Sequence, residues 1–174
     1  GQKERAGRSR KKMKFARLSR FVLIFLIGSS IFFTSIPTIA VIDPGQLVNT
    51  AKKYLGYPYH YGGASPRGFD CSGFTVFIFK KLGKELPRNE WQMYAAGKPV
   101  KKKDLKTGDI LFFVNTYRRG LSHIGIYIGG NKFIHAAFWP LGVRVDSLSH
   151  PYYAARYYSA CRIPEFFKKL PKKK

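Results

Sequence analysis

Leu47, Val48, Ala51, Tyr54 and Leu55 recur at helical spacing, which predicts a helix opening at Asp43-Pro44-Gly45-Gln46 and closed by Gly56. Asp43 offers an acidic cap, Pro44 fits the first helical position, and Gln46 stands where it can complete a capping box. A second stripe, Phe74, Phe77, Ile78 and Leu82, predicts a helix that starts at or just before Cys71 and stops at Gly83. Between them runs a loop rich in Gly, Pro and Tyr, from Tyr57 to Gly68. Asn89 and Gln92, at capping-box spacing ahead of Gly97, predict a short third helix over Asn89 to Ala96.

From Asp104 the period changes from helical to alternating. Thr107-Gly108-Asp109 is turn chemistry and leads into a strand over Ile110 to Val114. His123–Ile128 and Lys132–Ala136 flank Gly129-Gly130-Asn131, the signature of a hairpin. Gly142–Val145 and Ala155–Ile163 supply two more strands. Helices first and an antiparallel sheet second describe one α+β domain over residues 43–164, a length sufficient for a proper core.

The residues before that domain have another pattern. Phe21 to Ile42 carries no charge in 22 positions, and about 20 apolar residues suffice to cross a bilayer as a helix. Residues 1–20 hold nine Lys/Arg and one Glu, so this basic block is expected to stay cytoplasmic and send the downstream domain outside. The same segment also reads as a secretory signal, with Pro37 breaking the helix and Thr38-Ile39-Ala40 as a small-residue cleavage site. Anchor and cleaved signal stay open, and both imply export, to the periplasm or cell envelope, with an inner-membrane anchor if the segment is retained.

The whole chain carries a formal charge of +23, and residues 165–174 form a second basic tail with five Lys. Such a surface favours anionic partners: nucleic acid, acidic lipid or a charged wall polymer. Nucleic acid is set aside, because no reading motif is present and export separates the chain from chromosomal DNA.

Export permits disulfides, yet Cys71 and Cys161 are the two cysteines and no bond between them is expected. Cys161 reads as a buried thiol in a closing strand. Cys71, in Gly68-Phe69-Asp70-Cys71-Ser72-Gly73-Phe74, begins a helix, where the dipole end and a nearby imidazole lower a thiol pKa toward the reactive thiolate. Gly68 and Gly73 are expected to relieve crowding beside the sulfur.

Two histidines complete the constellation if the hairpin register allows. With Ile128 paired to Lys132 across a three-residue loop, His123 faces Ala137, His135 faces Gly125, and both imidazoles share one face. A two-residue loop throws them onto opposite faces. The shared face makes His123 the general base for Cys71, with His135 bonding its far nitrogen and fixing the tautomer. The backbone N–H of Cys71 is the natural oxyanion donor. A zinc site of Cys71, His123 and His135 is the competing chemistry, without a supporting metal motif, so no metal or cofactor is expected. His60 and His150 are assigned no role.

These residues resemble the NlpC family of bacterial cell-wall cysteine peptidases. The likeness is carried by Tyr54–Gly63, Gly68–Phe74, Leu86-Pro87-Arg88, Leu105–Ile110, Ser122–Ile128, Phe133–Ala136 and Ala160–Ile163. It implies a papain-like core, with the cysteine helix packed on an antiparallel sheet. It also implies Cys71, His123 and His135 as the catalytic residues and Tyr59 beside the oxyanion or substrate. Asp70 and Ser72 match positions that contact the stem peptide, and helix capping is compatible with both. The implied activity is hydrolysis of peptide bonds in peptidoglycan stems, such as D-γ-glutamyl-diaminopimelate, or in cross-links, by a monomer. A non-catalytic wall-binding protein, a membrane-tethered polyanion binder and an acyl-transferring relative are the rival readings.

Overall fold

The computed structural model describes residues 43–138 and 140–164. The segments read as a basic tail, an export segment and a C-terminal lysine tail lie outside the described residues. No helix among the described residues is long and apolar enough to cross a membrane.

Helix α1 (Pro44–Lys52) begins as its sequence dictates: Asp43 accepts from the N–H groups of Gly45 and Gln46, with Pro44 in the first turn. The Gln46 N–H on the Asp43 carboxylate, at 3.1 Å, is one half of the capping box that the spacing predicts. The Tyr57–Gly68 loop folds into a two-stranded ribbon, β1 (Ala64–Ser65) with β2 (Gly68–Phe69). Helix α2 (Cys71–Lys81) comes at once after it, capped by Asp70, and α3 (Glu90–Ala96) is capped by Asn89.

The sheet contains β3 (Lys98–Val100), β4 (Ile110–Val114), β5 (Leu121–Gly129), β6 (Lys132–Ala137), β7 (Gly142–Ser147) and β8 (Tyr157–Arg162). Its order is β3-β8-β4-β5-β6-β7, with every pair antiparallel. Two departures from the sequence reading stand out. Lys98–Val100 forms an edge strand that pairs with β8, and Pro151–Ala154 forms a short helix, α4, capped by His150. The last strand therefore starts at Tyr157, two residues later than its composition suggests.

Both faces of the sheet are covered, which is why β4 is apolar without alternation. Ile110 and Phe112 join α1 and α2 in one cluster with Leu47, Phe74, Ile78 and Phe79. Leu111 and Phe113 join a second, opposite cluster with Phe133, Leu148, Tyr153 and Ala160. Central strands buried on two sides lose the polar half of their pattern.

The β5–β6 hairpin settles the histidine register. Tyr127 pairs with Phe133 and Ile126 with Ile134, the register expected for histidines on one face. The turn differs from the expected three-residue loop. Gly129 pairs with Lys132 across Gly130 and Asn131, both at positive φ, and Ile128 is the extra residue of a bulge. A two-residue turn plus one bulged residue preserves the parity that a three-residue loop would have set.

Candidate active site

Cys71 occupies the first turn of α2 and is 2% exposed. Its thiol lies against the backbone of Ile124, the residue after His123 in β5. Burial pushes the thiol up to about 12, and the Asp70 carboxylate adds to the rise, while the N–H groups of Ile124 and Ser72 draw it back. The expectation of a thiol activated by the helix end is corrected. Asp70 caps that end, so the positive end of the dipole meets a carboxylate before it meets the sulfur.

Asp70 is a structural hub. It accepts from the N–H of Gly62 at 2.8 Å and of Gly73 at 2.7 Å, from Ser72 Oγ, and pairs with Arg88. Arg88 also donates to Ser72 Oγ. One guanidinium thus clamps both residues flanking the cysteine, a role that no periodicity in Leu86-Pro87-Arg88 announces. The N–H groups of Gly73 and Phe74 are consumed by Asp70, while among the described residues that of Cys71 has no acceptor.

The two glycines expected to open space beside the sulfur serve packing instead. A Cβ on Gly73 would fall 1.9 Å from the Gly63 carbonyl oxygen, and one on Gly68 would fall 2.5 Å from His60 Cβ. They let the ribbon lie directly on the helix start. That ribbon carries Tyr59, bridged to Phe69, with its ring against Phe138. Burial, then the charges of Cys71 and Asp70, raise the Tyr59 hydroxyl pKa, so it stays a proton donor.

On β5 and β6, His123 Nε2 and His135 Nδ1 are 2.7 Å apart. His135 Nε2 lies 2.9 Å from Asp146 Oδ2, and Arg144 holds Asp146 Oδ1 through Nε and Nη2 at 3.0 and 2.9 Å. Tyr153 packs its ring edge-on against His135. Burial lowers the pKa of both imidazoles: His123 well below its ordinary value, with a further push from His135, and His135 against the upward pull of Asp146. The hydrogen bond and charge of His135, with Arg144, hold Asp146 down at about 2 against the effect of its burial.

This chain of contacts determines where the protons sit. A carboxylate can only accept, so His135 Nε2 carries the hydrogen and its Nδ1 is the acceptor. His123 Nε2 must then donate to it, which leaves the His123 Nδ1 lone pair free to act as a base. Asp146 was not found from the sequence, because the predicted strand stopped at Val145, and Arg144, inside that strand, was given no role. Carried two residues further, the antiparallel pairing that sets His135 opposite Arg144 puts Asp146 on the same face.

The zinc alternative fails on this geometry. Among the described residues no three His, Cys, Asp or Glu are grouped to hold a metal, and the imidazoles spend their facing nitrogens on each other. Cys161 is buried elsewhere, its thiol 3.8 Å from the Met93 carbonyl, and the two cysteines are not bridged.

Comparison with known proteins agrees with the architecture. Gamma-DL-glutamyl hydrolase of Bacillus subtilis is 46% identical over 93 residues, 52% of this chain and 22% of that protein. Murein DD-endopeptidase MepS/murein LD-carboxypeptidase of Escherichia coli is 40% identical over 121 residues, 68% and 62% of the two chains. The chain thus spans between about a fifth and three fifths of these curated relatives. The crystal structure of an NlpC/P60 family protein from Bacillus cereus superposes with a TM-score of 0.68 at 36% identity, covering 72% of this chain and 41% of that one. The helix-on-sheet core is accordingly papain-like. Residues 56–162, more than half of the sequence, match the NlpC/P60 family model, and the chain belongs to that family of cysteine peptidases.

Proposed function

We propose that this protein is an exported peptidoglycan endopeptidase that cuts peptide bonds of stem peptides or cross-links through Cys71, His123 and His135. The observation that carries the reading is the hydrogen-bonded run from His123 through His135 to Asp146, which leaves one basic nitrogen on His123. One relative is named a γ-DL-glutamyl hydrolase and another a murein endopeptidase and carboxypeptidase, and the second name supports peptidoglycan as the substrate.

In the resting site thiol and imidazole are both neutral. When substrate binds, Cys71 passes its proton to His123 Nδ1 and the sulfur attacks the carbonyl carbon. The oxyanion that forms accepts from the Cys71 N–H and the Tyr59 hydroxyl. The imidazolium is supported by His135, whose far nitrogen rests on Asp146. Collapse of the tetrahedral intermediate breaks the C–N bond, and the amine leaves with the proton from His123. Water, deprotonated by His123, then hydrolyses the thioester. Asp70, Ser72 and Arg88 hold the helix start in place. Residues 1–42 direct export, and the basic tails favour contact with anionic membrane or wall polymer.

The test is digestion of purified sacculi by the full chain under reducing conditions, with released muropeptides identified by mass. Wild type should release fragments with new amine and carboxyl ends, and Cys71→Ala should release none. Absence of wild-type products sinks the enzymatic reading, while equal release by both sinks Cys71 as nucleophile.

A further inference from the structure

A cavity of about 460 Å³ opens beside His123, and no residue of α2 is in its described lining. Its described lining includes His123, Tyr117, Phe138, Leu141, Arg144 and Tyr152, and none of Cys71, Tyr59, Asp70 or Ser72. Aromatic contacts tie it to the nucleophile: Tyr59, near enough to Cys71 to feel its charge, meets Phe138, and Phe138 stacks on Tyr117.

We infer that this cavity receives the residue on the amine side of the scissile bond, and that Arg144 there binds a free carboxylate flanking the amine. The inference rests on the peptidase reading. In that reaction the amine departs with a proton from His123, so the residue bearing it must lie against that imidazole, where the cavity is. Arg144 is the cationic side chain of the described lining, and its side chain is 43% exposed. Its Nε and Nη2 face Asp146, which leaves Nη1 for a ligand. The guanidinium fork suits a carboxylate. Exposed Phe138 and Leu141 offer apolar wall to a methylene stem.

The chemistry selects among bonds. In a cross-link through diaminopimelate, the side-chain amine sits on a carbon that carries a free carboxylate. Inside a stem, the carboxyl next in line is already spent in a peptide bond. A site with Arg144 in this place therefore favours cross-links, or the last residue of a short stem.

The test uses two synthetic peptides with the same scissile bond, one with a free carboxylate beside the leaving amine and one with a primary amide there. The full chain, Arg144→Gln and Leu141→Glu are compared by kcat/KM on each. Wild type should prefer the acid by about tenfold or more, the scale of a charge-assisted hydrogen bond. Arg144→Gln should bring the ratio close to one, and Leu141→Glu, which does not touch Asp146, should raise KM for the acid more than for the amide. Equal wild-type rates on the two peptides would overturn the inference while leaving the peptidase intact. So would a loss in Arg144→Gln that is equal on both, because Arg144 would then act through Asp146 alone. No cleavage of either peptide or of sacculi would remove the peptidase reading itself.

Discussion

Asp146 Oδ2 sits 2.9 Å from His135 Nε2, and the Asp146 Oδ1 that remains is held by Arg144. The carboxylate is thereby fixed as an acceptor toward the histidine, and it dictates both imidazole tautomers. In Asp146→Asn, the carboxamide oxygen will turn to the Arg144 donor and its NH₂ to His135. His135 Nε2 then becomes an acceptor, His135 Nδ1 a donor, and His123 Nδ1 carries a hydrogen where the base is needed. Asp146→Ala leaves the tautomers free. The expected outcome is a loss of about 10–100-fold in kcat/KM for Asp146→Asn, the scale of a hydrogen bond to a charged group, and a smaller loss for Asp146→Ala. If Asn proves as active as Asp, or more active than Ala, the tautomer argument is wrong.

The neutral resting pair makes a different prediction for thiol reactivity. Burial holds His123 well below its ordinary value and lifts Cys71 to about 12, so the thiolate is scarce at neutral pH without substrate. Labelling of Cys71 by iodoacetamide, with mass spectrometry to separate it from Cys161, should be slow at pH 7. It should keep climbing beyond pH 9. A rate that is already at plateau between pH 5 and 8 would reveal a preformed thiolate–imidazolium pair. By the same argument, kcat/KM should lack an acidic limb near pH 6.5, since protonation of His123 is deferred to lower pH.

How much of this was legible in the chain depends on how local each determinant is. Caps at Asp43 and Asn89, the start of α2 and the hairpin around Gly129–Asn131 depend on neighbours within four residues, and the structure has them. The histidine register was legible as a parity, because any turn that kept both imidazoles on one face had to add an odd residue. Its form, a bulge at Ile128, was not. Arg88 was opaque, since it meets Asp70 across the chain through folding of the segment after α2. Asp146 was opaque for a related reason, because its place beside His135 depends on the β6–β7 register, which the reading of the sequence did not assign. The role of Gly73 was misread from the sequence because its crowding comes from the Gly63 carbonyl, ten residues earlier.

Gly125 offers a test of the histidine face itself. A Cβ there would lie 2.6 Å from a Phe133 ring carbon and 3.1 Å from His135 Cβ. Gly125→Ala must displace one of them, at about 1–3 kcal/mol for overpacking. Denaturant unfolding should report that loss. The kcat/KM at a temperature where the variant stays folded should fall as well, because His135 cannot move without lengthening its 2.7 Å contact to His123. Full activity in a destabilised variant would mean that Phe133 alone yields and the imidazole pair is untouched.

Asp109 and Arg162 supply a stability test away from the site. Asp109 is fully buried, accepts from the Lys106 N–H at 2.7 Å, and is gripped by Arg162 through Nε and Nη2 at 2.8 and 2.9 Å. Removing one partner of a buried pair strands a charge, at about 3–5 kcal/mol. Arg162→Ala should lose stability on that scale by denaturant unfolding. The double variant Arg162→Ala/Asp109→Asn should recover part of it, and no recovery would place the loss in packing of the arginine stem.

Alkaline stability should be set in part by the two buried thiols. Burial first, then the Asp109 charge, pushes Cys161 from an ordinary value of 9.0 up to about 12, and Cys71 reaches about 12 as well. Below pH 9 both states keep the proton and nothing is lost. Between pH 9 and 12 the unfolded chain sheds protons that the folded chain retains, so stability falls as pH rises. Cys161→Ala should be somewhat less stable at pH 7, where the sulfur's packing against Gly97 and Met93 is missed. Its stability should then decline less steeply than wild type from pH 9 upward, measured as the denaturant midpoint against pH. Parallel curves for the two proteins across that window would show that the Cys161 thiol ionises alike in the folded and unfolded chain, and would remove it from the alkaline limb.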